Sequence, residues 1–148
     1  MPYATGRCML HVHLRKPSLC EDVTALVRAL YDGWMEFHDG DAEPWPGIRL
    51  MRIGGHSAGL MAARIDTAGG PIVLASDAVH FWETLAGEPF PIVHDMRAVL
   101  EGYQRLIREA GGDPNRVVPG HDPAVMRRYP SAGPGLEGVA VRLSGPAA

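Results

Sequence analysis

Three short segments of this sequence each place a side chain that can bind a metal ion just after an apolar, strand-like run. His56 stands in the glycine-rich turn after one such run, Asp77 follows a second, and His121 follows a third, between Pro-Gly and Asp-Pro. Strand ends are where an α/β protein gathers a site from distant parts of its chain. Imidazole and carboxylate together suit Zn²⁺, with Fe and Mn as alternatives.

Each of these residues also has an ordinary structural interpretation. A lone His is more often a hydrogen-bonding residue than a ligand, and a Ser-Asp pair at a strand end is often only a cap. Three such positions, each beside Gly or Pro, favour the metal site over the structural alternative. A site with an open coordination position would hold a hydroxide near neutral pH and polarise a carbonyl, which is the chemistry of hydrolysis.

The elements that must position these residues are short. Alternation and β-prone composition predict strands over Trp34–His38, Ile48–Ile53, Met61–Thr67, Pro71–Ala75, Arg116–Val118 and Val139–Leu143. Ala68–Gly70 is predicted as a hairpin turn. Trp82–His94 is predicted as a loop, whose aromatic side chains cover either a pocket or the core.

Three helices are predicted between these strands. The first is expected to start at Ser18, an N-cap in a capping-box pattern, and to end near Asp32–Gly33. The second is capped by Asp95, carries its apolar positions on one face and stops at Gly111–Gly112. Asp122–Pro123 opens a short third helix with proline in its first turn.

Several other potential ligands are better explained without a metal. His11 and His13 alternate as on a strand, but two cationic residues follow them, so we interpret them as surface or substrate-loop residues. Cys8 and Cys20 are too few for a disulfide framework and wrongly spaced for a zinc knuckle, which predicts plain thiols. Asp39–Asp41 lacks the remaining positions of a calcium loop and is interpreted as turn chemistry.

The bulk composition predicts one soluble domain over residues 1–148. Apolar residues make up 46% and charged residues 21%, which is typical of a globular protein. The net charge of −3 argues against a nucleic-acid or anionic-membrane partner. No apolar run approaches membrane-spanning length, and the start of the chain has no signal-peptide core, so a cytoplasmic location is expected. The 18 glycines and 13 prolines separate many short elements, as in a loop-rich α/β enzyme.

The segments Gly55–Gly59, Ser76–Phe81 and Pro119–Pro123 together resemble three motifs of the metallo-β-lactamase-fold superfamily, in its N-acyl homoserine lactonase-like branch. The segments 37–41 and 139–143 are similar too, so the likeness extends over nearly the whole chain. The resemblance implies an α/β protein of the αβ/βα sandwich type and a quorum-quenching, zinc-dependent hydrolase lineage.

The resemblance also implies a role for each matching residue. His56 would ligate the first of two zinc ions, His121 the second, and Asp77 would bridge them. A metal-bound hydroxide would then open a lactone ring. His80 would assist the carbonyl oxygen or the leaving group, or lie behind the residues that do.

The sequence departs from the family pattern in one respect. The family's His-x-His-x-Asp-His motif, which precedes all these segments, is missing, and the His11–Lys16 segment does not supply it. The resemblance therefore implies a truncated chain, a partial sandwich that corresponds to the C-terminal two-thirds of the fold. We expect at most one bound metal, little or no lactonase activity from this chain alone, and self-association, for example as a homodimer, through an exposed sheet edge.

Three functional readings remain open from the sequence. The first is a zinc-dependent hydrolase of small lactones similar to N-acyl homoserine lactones. The second is a catalytically inactive fragment or metal-binding remnant. The third is a hydrolase of other esters, thioesters or phosphodiesters on the same fold.

Overall fold

The computed structural model describes residues 19–88 and 93–143. The chain divides into two compact units, Met1–Asp39 and Gly40–Ala148. No described helix is both long enough and apolar enough to cross a membrane.

The described part of the first unit contains one helix, α1, at Cys20–Tyr31. It ends as predicted: Asp32 donates its backbone N–H to the Arg28 carbonyl, and Gly33 follows with a φ of +73°. A left-handed residue after the last turn is the usual way to stop a helix, and glycine adopts it without steric cost. The residue at the N-cap is Leu19, whose side chain caps nothing, and Ser18 lies outside the described residues.

The strand predicted over Trp34–His38 is wrong. These residues form no regular structure, and Trp34 and Phe37 are 83% and 64% exposed. Within the described residues, their alternating pattern has no partner strand and no apolar layer to pack against, and an isolated strand is unstable without both. Cys20 is an exposed free thiol, as expected. His11, His13 and Cys8 lie outside the described residues.

The second unit is built on one five-stranded sheet in the order β1-β2-β3-β4-β5. Its strands are Ala42–Trp45, Ile48–Arg52, Met61–Ile65, Ile72–Leu74 and Val117–Val118. The first four pair antiparallel with their neighbours, and β5 pairs parallel with β4. A parallel neighbour needs a long crossover, and the segment between β4 and β5 contains the longest helix of the described chain.

The sequence analysis missed one strand of this unit and predicted another that needs correction. The missed strand is β1, which contains Pro44. Proline is tolerated there because β1 lies at the end of the described sheet and its register with β2 is irregular. The strand predicted over Val139–Leu143 is reduced to a single bridge between Val141 and Ser131. The predictions for the other four strands are confirmed to within two residues at each end.

The described part of the second unit also contains three α-helices: α2 at Trp82–Leu85, α3 at Met96–Glu109 and α4 at Val125–Arg128. α3 begins as predicted, because the Asp95 side chain accepts the Ala98 backbone N–H at 3.1 Å. The loop prediction for Trp82–His94 missed α2, a single turn, and residues 89–92 lie outside the described part. Short 3₁₀ turns stand at Ser76–Ala78 and Pro114–Arg116.

The main core lies between α3 and one face of the sheet. Met51, Val73 and Val117 contribute from the strands, and Tyr103 and Leu106 contribute from α3. All five side chains are less than a tenth exposed. The apolar stripe predicted for α3 is therefore confirmed, and its burial is the main stabilising contribution to this unit.

Asp41 joins the first strands of the sheet to α3 through ion pairs. Its carboxylate accepts from Arg49 at 2.8 Å and from Arg105, and it also accepts the Arg52 backbone N–H. Burial acts to raise the pKa of Asp41, but the hydrogen bonds from Arg105 and Arg49 outweigh it and hold the pKa below its usual value. Because its carboxylate is occupied by arginine side chains and a backbone N–H, Asp41 has a structural role. This agrees with interpreting Asp39–Asp41 as a turn and not as a calcium loop.

The core predicts a strong difference between two leucines of α3. Leu106 is fully buried, whereas Leu100 on the same helix is 46% exposed. Leu106→Ala should lower the free energy of unfolding by about 2–5 kcal/mol, because it removes packed methyl groups and leaves a cavity. Leu100→Ala, the control, should cost less than about 1 kcal/mol. Urea denaturation followed by circular dichroism measures both, and equal losses would contradict this account of the core.

Candidate metal centre

The sheet topology brings the three strand-end residues to one edge. β2 and β4 are both antiparallel to β3, and β5 is parallel to β4, so β2, β4 and β5 run in the same direction. Their carboxyl ends therefore open onto the same side of the sheet. His56 lies in the turn after β2, Asp77 in the 3₁₀ turn after β4, and His121 just after β5.

The turns that carry Asp77 and His121 are tied together by their backbones. The Gly120 N–H donates to the Val79 carbonyl at 2.9 Å, and the His121 N–H donates to the His80 carbonyl at 3.1 Å. A Cβ atom on Gly120 would lie only 2.7 Å from the Ser76 carbonyl oxygen. Glycine is thus required for this approach, which puts the residue before His121 against the residue before Asp77.

The backbone of Ser76 is itself unusual. It has a φ of +50°, the only positive value among the described residues other than glycine. Left-handed backbone at a non-glycine residue costs free energy and occurs preferentially at functional sites. Here it turns the chain sharply between β4 and Asp77.

The turn that carries His56 is held by α3. Gly55 has a φ of +81°, and a Cβ atom on it would lie 2.8 Å from the Val99 backbone nitrogen. The Gly55 carbonyl also accepts the backbone N–H groups of His94 and Asp95 at 2.9 and 3.0 Å. The first turn of α3 and the residues before it therefore fix the backbone immediately before His56.

The two carboxylate oxygens of Asp77 face different histidines. Oδ1 lies 2.6 Å from His121 Nε2, and Oδ2 lies 4.0 Å from His56 Nε2. The side chains of Asp77 and His121 are 41% and 55% exposed, and that of His56 is 25% exposed. The carboxylate thus stands between two imidazoles at a rim that solvent can reach.

A third imidazole, that of His80, lies close to both of the others. Its ring centroid is 5.2 Å from that of His56 and 5.0 Å from that of His121, on which it stacks with an interplanar angle of 20°. Ligand atoms of Asp77, His80 and His121 all lie within 4.8 Å of one another, and His56 lies outside this group. Partial burial, and after it the neighbouring His56, lower the pKa of His80, whereas Asp77 acts to raise it. The net lowering favours the neutral imidazole.

His56 leaves one ring nitrogen without a partner. Its Nδ1 atom is buried and makes no hydrogen bond within the described chain. Burying an unpaired polar atom costs about 1–3 kcal/mol, and such atoms are rare enough in folded proteins to need an explanation. The other ring nitrogen, Nε2, is the one that faces Asp77, so an ion shared with Asp77 would bind Nε2.

Sequence reasoning missed the residue that connects the His80 and His121 segments. Asp122 accepts the Trp82 backbone N–H at 3.1 Å through Oδ2 and the Ala124 N–H at 2.8 Å through Oδ1. One carboxylate therefore caps α2's first turn and the turn that leads into α4. The Asp-Pro pattern predicted only the second of these roles, because the first joins residues 40 positions apart.

Comparison with known proteins gives structural matches only. No family model and no curated protein matches the chain. An N-acyl homoserine lactone hydrolase, solved with N-hexanoyl-L-homoserine at its catalytic metal centre, matches with a TM-score of 0.51 and 27% identity over 59% of this chain. A variant of B. thuringiensis AiiA with N-decanoyl-L-homoserine at its active site matches with the same values. A probable metal-dependent hydrolase from Staphylococcus aureus matches with a TM-score of 0.52 and 20% identity over 67% of this chain.

These matches have partial coverage. The chain spans about 35% of the length of each of these three proteins. Over that part it shares the mixed α/β, metallo-β-lactamase-type fold that the sequence motifs led us to expect.

The close contact of Gly120 with Ser76 generates a stability prediction. In Gly120→Ala the added methyl group meets backbone atoms rather than a flexible side chain, so the variant should lose about 1–3 kcal/mol of unfolding free energy. Gly69→Ala is the matched control, since its Cβ atom would meet only the Thr67 hydroxyl at 3.8 Å. The control should change stability by less than about 1 kcal/mol in urea denaturation. A Gly120 variant as stable as this control would show that the turns are not in contact.

Proposed function

We propose that this chain, which has the metal-dependent hydrolase fold of the lactonase type over part of its length, holds a divalent cation for the hydrolysis of small lactones. Asp77, His56 and His121 would hold the ion, with zinc as the first candidate. The observation that carries the proposal is the Asp77 carboxylate, whose oxygens face an imidazole on either side. The site lies at the carboxyl ends of three strands, in a fold shared with a lactone hydrolase whose product is bound at its metal centre.

The donor set fits such an ion. Two imidazoles and a carboxylate are among the commonest zinc ligands of enzymes, and Nε2 of His56 and Nε2 of His121 both face the Asp77 carboxylate. Zinc is preferred over magnesium or calcium because imidazole nitrogen outnumbers carboxylate oxygen. When bound, the ion supplies a Lewis acid for the carbonyl and lowers the pKa of a water molecule towards neutrality.

The chain's own residues would orient the reaction. Asp77 spans the gap between His56 and His121 and lies at the solvent-accessible rim, where a substrate can approach. His80 is half-buried, and its lowered pKa favours the neutral imidazole, whose ring N–H would donate to the carbonyl oxygen or to the leaving alkoxide. This is one of the two roles that the resemblance implies for His80.

Lactones are the first substrate class to test, and other esters and thioesters are the second. Ring opening needs only the attack of water on an activated carbonyl, and the same arrangement would serve an acyclic ester. Turnover by this chain is expected to be low, since the four donors described here suit a single ion. Self-association through the sheet edge and a cytoplasmic location stay predictions.

The first experiment measures metal content together with hydrolysis. The purified chain should contain about one equivalent of zinc by elemental analysis, and His56→Ala combined with His121→Ala should abolish it, because two of its donors are gone. His38→Ala combined with His94→Ala removes two imidazoles outside the site and serves as the control. Retention of zinc by the site variant would contradict the proposal.

A lactone and ester panel then separates hydrolysis from binding. N-acyl homoserine lactones should be opened faster by the parent and by the control variant than by the site variant. Zinc binding with no such difference on any lactone, ester or thioester would instead support a binding-only role for this chain.

Asp122 provides a second test of the site. Asp122→Ala should lower zinc affinity by about 10–100-fold, as loss of a residue that orients metal ligands typically does. Asp113→Ala is the matched control, because Asp113 caps the 3₁₀ turn Pro114–Arg116 by accepting the Asn115 N–H at 2.9 Å. Both variants should lose about 1 kcal/mol of stability, but only the first should lose affinity in chelator competition. Equal affinities would show that Asp122 has only a structural role.

A further inference from the structure

The Asp77 carboxylate defines two different positions for a cation. One lies on the Oδ1 side, towards His121, and the other lies on the Oδ2 side, towards His56. A metal centre needs enough protein ligands at the position that it occupies. The supply of donors at the two positions therefore decides where a single ion binds.

The two positions do not have equal numbers of donors. Asp77, His80 and His121 bring three ligand atoms within 4.8 Å of one another, so an ion beside His121 has three donors within reach. On the Oδ2 side, the described residues supply His56 and the shared carboxylate. Catalytic zinc sites are typically made of three protein ligands with one position left for water or substrate.

We infer that the single cation binds on the His121 side and that His80 is its third protein ligand, beside Asp77 and His121. The inference rests on the proposed function in that the site must bind a divalent cation at all. It replaces His56 by His80 among the three residues proposed above to hold the ion, and it makes His56 the least important of the three imidazoles for affinity.

The spacing of the donors permits this arrangement. Each zinc ligand lies about 2.1 Å from the ion, so two ligand atoms of one ion are separated by at most about 4.2 Å. The largest separation within the Asp77, His80 and His121 group is at most 4.8 Å, which small side-chain rotations can close. A neutral imidazole retains one N–H when its other nitrogen binds an ion, so ligation leaves His80 one hydrogen-bond donor.

Backbone hydrogen bonds fix the segments that carry His80 and His121 side by side. The carbonyl of His80 accepts the N–H of His121 at 3.1 Å, and the Val79 carbonyl accepts that of Gly120 at 2.9 Å. The stacked rings of His80 and His121 thus project from adjoining, hydrogen-bonded segments. His56 comes from a separate turn that is fixed by α3, and its ring is tilted by 55° to that of His80.

The first test compares three single substitutions in the full chain. His80→Ala and His121→Ala should each weaken Zn²⁺ binding by at least about a hundredfold in chelator competition, because each removes a direct ligand. His56→Ala should weaken it by less than about tenfold. Thermal unfolding without added metal shows whether each variant folds, and His80→Gln replaces His80→Ala if the latter does not.

A gain of signal supplies the second test. With Co²⁺ in place of Zn²⁺, His80→Cys should show the thiolate-to-cobalt charge-transfer absorption of a cysteine ligand, and His56→Cys should not. This absorption reports ligation directly, so a merely structural effect of His80 would not produce it.

The outcomes distinguish this inference from the function on which it rests. If the parent binds zinc, His80→Ala binds it equally well and His56→Ala does not, the ion lies on the His56 side and the inference is overturned while the proposed function stands. Charge transfer from His56→Cys alone leads to the same conclusion. If the parent itself binds no zinc or cobalt, both are overturned.

Discussion

The parallel pairing of β4 with β5 is the constraint on which the candidate site depends. Asp77 and His121 are 44 positions apart in the sequence, and their turns meet only because these two strands end side by side. β5 has just two residues, so few backbone hydrogen bonds hold it, each with a net contribution of about 1 kcal/mol. The bonds from Ala75 to Val118 and from Gly120 to Val79 extend that short ladder into the turns. The absence of a side chain at Gly120 lets the turns approach closely enough for the ladder to continue.

The same helix that covers the sheet also positions the remaining imidazole. α3 buries Tyr103 and Leu106 against the strands, and its first turn lies against Gly55. A change that loosens α3 would therefore move His56 as well as weaken the core. Stability and site geometry are coupled in this unit through one helix, and the coupling is stronger for His56 than for His121, whose turn is held by strand ends.

Whether a feature of the fold or the candidate site could be predicted from the sequence depends on how far apart in the chain its interacting residues lie. His56, Asp77 and His121 were identified because each follows a strand, a signal that is local in sequence, and the topology does bring them to one edge. The Asp95 cap and the stop of α3 are also local. The two failed strands, Trp34–His38 and Val139–Leu143, have suitable alternation, but pairing depends on a distant partner that alternation does not reveal.

The details that decide the chemistry are the least local of all. Three contacts join separate segments of the chain: Asp122 accepts the Trp82 N–H, Gly120 lies against Ser76, and His80 stacks on His121. The motif around Ser76–Phe81 predicted that His80 belongs to the candidate site. It could not indicate whether that side chain would face a substrate or an ion, because the answer depends on a distance to His121.

The two oxygens of the Asp77 carboxylate differ in the contacts that a cation would have to replace. His121 Nε2 and Asp77 Oδ1 are in hydrogen-bonding contact at 2.6 Å, so a cation that binds both atoms must replace that hydrogen bond. On the other side, His56 Nε2 stands 4.0 Å from Oδ2, while its buried Nδ1 has no partner in the described chain. The His121 side therefore exchanges an existing interaction for three ligand bonds. The His56 side offers one imidazole and the shared carboxylate. A single ion would be held by the number of its ligands, and this favours the group that contains His80.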